Sequence, residues 1–270
     1  MAWYKRLKRP AIGFAIFYLS MVLSLVTFET RLVYQPFDGP IEPAKAGLPQ
    51  FTAKTLMAEG LPAISYWENT APKSARTVFY FHGNGGGLFM HTAVPALLDN
   101  AGLHVVAIEY PSFPGAAGKP SEQTIIDQAT ALWDEKAPKT TTRAPIVWGY
   151  SLGSGVAVQL AAKRPPAALI LEAPFTAAVD RAAQLYPLIP VRYLMKNTYR
   201  SRDYIAHIRV PVLILHGDGD MIIPIQHGRD LFALANEPKT FKEYAKFGHL
   251  NLVDSAAYGD ALAFIRTSPR

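Results

Sequence analysis

The chain contains no cysteine. That absence excludes disulfides, thiolate metal sites, a cysteine nucleophile and a cysteine-linked lipid anchor, and it leaves the compartment open. The sequence also lacks an H-E-x-x-H motif, a Cys/His array, internal repeats and low-complexity tracts. No metal site or cofactor motif is therefore predicted. N-x-[ST] glycosylation sequons are absent as well. Charge is sparse, at 18% of residues, with 27 Lys and Arg against 21 Asp and Glu for a net +6. Four of the basic residues, Lys5, Arg6, Lys8 and Arg9, fall in the first ten positions, where no acid occurs. The other 260 residues hold 23 basic against 21 acidic groups. A balance of about +2 without Arg/Lys-aromatic interleaving provides no nucleic-acid footprint. With 270 residues, half of them hydrophobic, the chain reads as one globular domain with an appendage, not as a disordered polymer.

The appendage is N-terminal. Residues 1–10 form a basic tail, and Ala11 to Phe28 run for 18 residues without a charge. At ~1.5 Å per helical residue this stretch covers roughly 27 Å, close to the ~30 Å hydrocarbon core of a bilayer. A buried core helix is the bland alternative, but the segment is apolar all round and abuts the basic cluster. A cleaved signal peptide is another, but Leu25, Val26, Thr27 and Phe28 offer no small-x-small site. The expectation is an uncleaved transmembrane signal-anchor over 11–28. Downstream, Arg31 stands alone before Lys45, so the positive-inside rule leaves the N-terminus cytoplasmic and residues 29–270 outside, facing the periplasm if the host is bacterial.

Beyond a Pro/Gly-rich stretch to Arg76, strand and helix signals alternate. Thr77 to Phe81, His104 to Tyr110, Ile146 to Tyr150, Ala168 to Glu172 and Val212 to His216 are short apolar runs suited to strands buried on both faces. Phe241 to Phe247 adds a less buried edge candidate, and Lys54 to Glu59 and Ile64 to Glu68 are extended candidates upstream. Helical stretches lie at about 89–101, with a kink or break expected at Pro95, and at 121–136, 151–163, 225–235 and 254–265. This alternation predicts an α/β fold, a mostly parallel sheet with helices on both faces. Residues 175–204, interrupted by Pro187 and Pro190, depart from the rhythm and read as a cap over one end of the sheet.

Ligands of open α/β sheets bind beyond the carboxyl ends of the strands. There, after the Ile146 to Tyr150 run, stands Gly149-Tyr150-Ser151-Leu152-Gly153, a G-x-S-x-G between a predicted strand and a predicted helix. A serine on such a sharp turn exposes its hydroxyl, and the Leu152 N–H at the helix start faces a developing oxyanion. The bland reading is a tight turn beside an ordinary serine. A serine nucleophile needs a base and an orienting acid. His249 lies in a loop between the last strand and the last helix, while Asp218 and Asp220 both follow the Val212 to His216 strand. The loop His82-Gly83-Asn84-Gly85-Gly86-Gly87 suits a second oxyanion donor. It does not suit phosphate, since no Lys-Ser/Thr follows and Leu88 takes the last glycine place of G-x-G-x-x-G.

With these motifs in place, the chain resembles the α/β-hydrolase superfamily, and within it the membrane-anchored branch that includes the ABHD-type serine hydrolases. The likeness covers most of residues 32–265. It is carried by Leu32-Val33-Tyr34-Gln35-Pro36, His82-Gly83-Asn84-Gly85, Gly118-Lys119-Pro120-Ser121-Glu122, the Ser151 motif, Val210 to Gly217, Asp220, Pro224 and Gly248-His249. The resemblance implies Ser151 as nucleophile, His249 as general base, Asp220 in preference to Asp218 as the acid, the Asn84 and Leu152 N–H groups as oxyanion hole, and no cofactor. The implied reaction is hydrolysis of a carboxylic ester or thioester, of a small molecule or a lipid. Amide or peptide hydrolysis on the same residues and a non-catalytic scaffold are the rivals. Tyr110 to Gly115 and Leu250-Asn251 depart from the family pattern and are expected beside the pocket. Leu185, Tyr186, Leu188, Ile189, Tyr193 and Leu194 of the cap are candidates to line it, or simply to pack the cap down.

Overall fold

In a computed structural model, residues 2–72, 75–138 and 144–269 are described, the side chains of 2–9 and 11 excepted. The basic side chains of the N-terminal tail thus lie outside the described residues. Helix α1, Ala2–Val33, is continuous for 32 residues and runs on past Phe28. It contains an apolar stretch, Ile12–Val33, long enough to cross a membrane. Strand β1 (Gln35–Pro36) follows, then β2 (Phe51–Leu56), β3 (Ile64–Asn69), β4 (Thr77–Phe81) and the short β5 (Gly85–Gly86). From there the chain alternates through α2 (Ala93–Asn100), β6 (His104–Ile108), α3 (Glu122–Lys136), β7 (Ile146–Tyr150), α4 (Leu152–Lys163) and β8 (Ala168–Glu172). Helices α5 (Ala178–Leu185), α6 (Val191–Leu194) and α7 (Ser201–Ile205) come next, before β9 (Val212–Gly217), α8 (Ile225–Leu234), β10 (Lys239–Tyr244) and α9 (Ala257–Thr267).

Eight strands form one sheet in the order β10-β9-β8-β7-β4-β6-β3-β2. All its pairings are parallel except β3 with β6 and β2 with β3. The antiparallel edge absorbs the two upstream extended segments, and β10 closes the other edge with a mostly exposed face. Successive residues of the inner strands serve opposite faces. Phe79, Phe81 and Val147 join one core with α3, α4, α7 and α8, whereas Val78, Tyr80 and Trp148 join a second core with α2 and α9. Burial on both faces explains why these strands read as continuous apolar runs.

Several expected bounds shift by a few residues, β2, β10 and α9 among them, and at two helix starts the reason is plain. The segment read as one kinked or broken helix over 89–101 is a 3-10 turn at Leu88–Met90 followed by α2, with Pro95 in the first turn of α2. There its missing N–H removes no intrahelical bond, so it starts a helix instead of bending one. Helix α3 begins at Glu122 because Ser121 is its N-cap, its hydroxyl accepting from the Thr124 N–H at 3.1 Å.

Candidate active site

Between β7 and α4 the chain reverses at Ser151, whose φ of 51° and ψ of −117° lie outside the regions ordinary side chains favour. The turn is this tight because its glycines allow it. A Cβ on Gly149 would strike the Gly153 carbonyl, and one on Gly153 would strike the Phe81 carbonyl of the neighbouring strand. The strained serine is held by its own N–H, which donates to the Glu172 carbonyl at 2.9 Å, and by Ser154 Oγ, which donates to its carbonyl at 2.6 Å.

Three segments that follow strands β7, β9 and β10 then bring Ser151, Asp220 and His249 together. His249 Nε2 is 2.9 Å from Ser151 Oγ, and His249 Nδ1 is 2.7 Å from Asp220 Oδ2. The imidazole accepts from the serine hydroxyl and donates to the carboxylate, because a carboxylate only accepts. Asp218 lies apart from this relay; its Oδ1 accepts from the Lys246 N–H. All three relay residues are buried. Asp220 Oδ1 accepts from the N–H groups of Ile222 and Ile223 at 2.9 and 2.7 Å, and His216 Nε2 stands 3.4 Å from Oδ2. Burial on its own would raise the Asp220 pKa, but hydrogen bonding with His216 and His249 outweighs it and holds the carboxyl well below the usual range. The His249 loop is tied at both sides: Tyr150 Oη donates to the His249 carbonyl at 3.0 Å, and Asn251 Oδ1 accepts from the Gly248 N–H at 2.7 Å. The departure at Leu250-Asn251 therefore stiffens the loop instead of walling the cavity.

The loop carrying Asn84 is braced from two directions. Gln35 and Pro36, just after the long helix, pair with Gly85 and Gly86, and the Gln35 N–H donates to the Asn84 carbonyl at 2.9 Å. From beneath, Glu109 Oε2 accepts from the Leu88 N–H at 2.9 Å, and Glu109 Oε1 lies 2.9 Å from the buried His82 Nε2. His82 in turn stacks on Tyr110 with ring centroids 4.1 Å apart. Burial, reinforced by neighbouring His82, lowers the His91 pKa to about 3, so its neutral ring donates from Nε2 to the Gly85 carbonyl at 2.9 Å. Tyr110 and Phe113 thus belong to this brace, behind the site and not on its surface. The Leu152 N–H, first of α4, has no intrahelical acceptor. Asn84, Ser151 and Leu152 all border one cavity of about 360 Å³.

Sequence reasoning left His82, His91, His216 and Glu109 without roles, and each proves to be a support for a loop it had singled out. The cavity's far wall is the larger surprise. Of the six cap candidates, Leu185, Tyr186, Ile189 and Leu194 line it, whereas Leu188 and Tyr193 point outward, 81% and 90% exposed. A further part of the wall comes from α1 itself, through Leu25, Val26, Glu29, Leu32 and Val33, with Phe175, Ile222 and Ile223 among the others. The i, i+1, i+4, i+7, i+8 spacing of the five α1 residues is a single helix face. That face is latched in place, since Glu29 Oε1 accepts from the N–H groups of Lys196 and Asn197 and from Asn197 Nδ2, all within 2.8 to 2.9 Å. Asn197 Oδ1 passes the connection on to the Glu122 N–H and to Tyr34 Oη.

The sheet order, the strained serine and its relay define an α/β-hydrolase. No family model matches the chain. An uncharacterised protein of Mycobacterium tuberculosis is 32% identical over 262 residues, covering 94% of this chain and 92% of its own length. The lysophosphatidylserine lipase ABHD12 of Danio rerio is 33% identical over 196 residues, or 65% of this chain, which spans about half the length of that relative. The chain belongs to the α/β-hydrolase family and falls in its ABHD-like branch. Among solved structures, a membrane phospholipase A described as a bacterial virulence factor matches with a TM-score of 0.64 at 17% identity over 96% of this chain and 98% of its own. An esterase of Pyrococcus furiosus matches with a TM-score of 0.69 at 14% identity over 88% and 100%. At such identities these two structures bear on the fold alone.

Proposed function

We propose that this protein is a membrane-anchored serine hydrolase that cleaves carboxylic esters of lipids, and thioesters by the same chemistry. Ser151 Oγ attacks the acyl carbon as His249 Nε2 takes its proton, and the carbonyl oxygen, now an anion, is received by the N–H groups of Leu152 and Asn84. When the tetrahedral adduct collapses, the C–O bond to the leaving alcohol breaks and His249 returns the proton to that oxygen. Water then attacks the acyl-serine with His249 again as base, releasing the fatty acid and restoring Ser151. Asp220 fixes the Nδ1–H tautomer throughout and balances the transient imidazolium. No cofactor takes part in these steps.

The observation that carries this reading is the unbroken hydrogen-bond line from Ser151 Oγ through His249 to Asp220, opening onto a cavity whose wall is mainly aliphatic. The lipase activity named for the ABHD12 relative points the same way. An apolar wall suits an acyl chain better than a peptide, which favours ester over amide substrates. Residues 11–28 anchor the chain with the N-terminal basic tail in the cytoplasm, and residues 29–270, with 175–204 as cap, work on the extracytoplasmic side of what in a bacterium is the inner membrane.

A fluorophosphonate probe tests the chemistry: wild type is labelled and Ser151→Ala is not, and p-nitrophenyl esters turn over while amino-acid anilides do not. A folded wild-type sample that takes no label and splits no ester would mean a scaffold. A C-terminal alkaline phosphatase fusion, active in a bacterial host, tests the orientation; an inactive but well-expressed fusion reverses it.

A further inference from the structure

The long helix does not leave the catalytic domain where its apolar stretch ends. Tyr18 Oη donates to the Leu188 carbonyl at 2.8 Å. The tip of the cap therefore sits beside residue 18, ten residues ahead of Phe28, or about 15 Å along the helix axis. A helix cannot be surrounded by lipid over 11–28 while a fully aqueous cap is bonded to its middle. The surface of the cap agrees with this constraint. Leu188 and Tyr193 are almost wholly exposed, Leu185 is 56% exposed, and the nearby loop adds Met221 at 85%. The outward side of α1 is apolar as well, with Phe14, Phe17 and Leu23 exposed. Exposed apolar side chains on a cap bonded to a membrane helix suit a lipid environment better than water.

We propose that the cap is seated in the leaflet beside α1, and that the cavity between them admits an acyl chain directly from the bilayer, with the side of α1 bearing Leu25, Val26, Leu32 and Val33 as one wall of the acyl subsite. This rests on the anchored-hydrolase reading above and adds to it the route and the substrate class: a membrane-resident lipid that enters sideways, not a dissolved ester. Tilt of α1 sets how deep the cap tip reaches. The Glu29 latch to Lys196 and Asn197 makes the wall a fixed part of the subsite instead of a loose tether.

The lack of native cysteine makes the position directly measurable. Leu188→Cys and, as a control, Glu135→Cys are labelled with an environment-sensitive fluorophore in the full-length protein, reconstituted in phosphatidylcholine vesicles with and without nitroxide-bearing lipids. Glu135 is exposed near the far end of α3, whose N-terminus touches Asn197, so it lies about 20 Å from that contact. Strong quenching at 188 with none at 135 is expected; water-like emission at 188 would overturn the proposal. The wall is read with esters of rising chain length. Val26→Trp lowers the long-chain to short-chain ratio of kcat/KM by about tenfold or more, the scale of a few excluded methylenes, whereas Leu23→Trp on the lipid side leaves the ratio alone. An unchanged ratio in a Val26→Trp protein that still takes the fluorophosphonate label overturns the subsite. If Val26→Trp does not fold, a long-chain phosphonate bearing a terminal diazirine, cross-linked in wild type, should attach to residues 25–33 or the cap, and attachment confined elsewhere overturns it. Fluorescence depth needs no turnover, so an inactive protein with a quenched Leu188 would defeat the hydrolase reading, and an active one with Leu188 in water would defeat this one.

Discussion

The two sides of the cavity are built on opposite principles. On the sheet side, three strand ends present polar groups, each fixed by two or more hydrogen bonds, around a serine in a strained turn. On the cap side, the surface is mainly aliphatic, drawn largely from two segments about 150 residues apart in sequence, which the Glu29–Asn197 latch and the Tyr18–Leu188 bond tie together. The sheet side is organised for bond-making, where a misplacement of an ångström is costly. The cap side is organised for apolar complementarity, where shape and access matter more than angles. The two sides should therefore fail differently: substitutions on the first abolish turnover at every chain length, and those on the second change which substrates are turned over.

The largest effect expected is at Ser151. Ser151→Ala should lower kcat on a short p-nitrophenyl ester by about a millionfold, and adding His249→Ala should lower it little further, because the residues act as one unit. Single and double variants compared by steady-state kinetics check this, and independent, multiplying losses would separate the pair. Next comes Asp220→Asn, which keeps the shape but favours the wrong imidazole tautomer; a loss of about 10⁴-fold in kcat is expected. If KM for long chains moved instead, Asp220 would belong with the cap side of the comparison.

How much of this was legible in the sequence follows the same division. Ser151 and the Asp218/Asp220 pair sit directly after recognisable apolar strands and His249 after a weaker edge strand, so local pattern and chain order nominated them, and the family resemblance chose Asp220 over Asp218. The parallel sheet was legible because burial on both faces writes itself as continuous apolar runs. The supports were not legible: His216 and Glu109 look like ordinary strand-end residues until the fold brings an aspartate or an N–H to them. Least legible was the role of α1. Its apolar residues satisfy a membrane span and a cavity wall equally well, and it takes the contacts of Glu29 with residues 196–197 and of Tyr18 with Leu188 to reveal that one of its faces is occupied by protein.

A smaller effect, in stability, tests the floor of the sheet side. Glu172 is fully buried under the Ser151 turn, and desolvation raises its pKa to about 7, despite the opposing hydrogen bond from Trp148 Nε1 at 3.1 Å. Above the ordinary carboxyl range the unfolded chain releases this proton while the folded one keeps it. Stability from this group is thus full below about pH 4.5 and is lost as pH rises towards 7, by about 3 kcal/mol over the window. Glu172→Gln should remove that slope, and urea titrations at pH 5 and pH 8 would show it as a smaller pH difference than in wild type. Equal slopes would mean that Glu172 is ionised in the fold.

The smallest effect lies at the latch and separates the two sides most sharply. Glu29→Ala leaves three N–H groups of Lys196 and Asn197 without their acceptor in a mostly buried place, a loss of about 2 kcal/mol. Glu29→Gln keeps an amide oxygen at the same position and should retain most of it. Because the latch lies away from the strand ends, its loss should act locally. Amide hydrogen exchange should quicken over residues 188–197 while β7 and α4 stay protected. KM for long-chain esters should rise several-fold in Glu29→Ala with kcat on short ones little changed, and Glu29→Gln should sit close to wild type. The same exchange in both variants would show that charge, and not the acceptor geometry, holds α1 to the cap. A fall in short-chain kcat to match the long-chain loss would show that the braced Asn84 loop, reached from α1 through Gln35, couples the two sides after all.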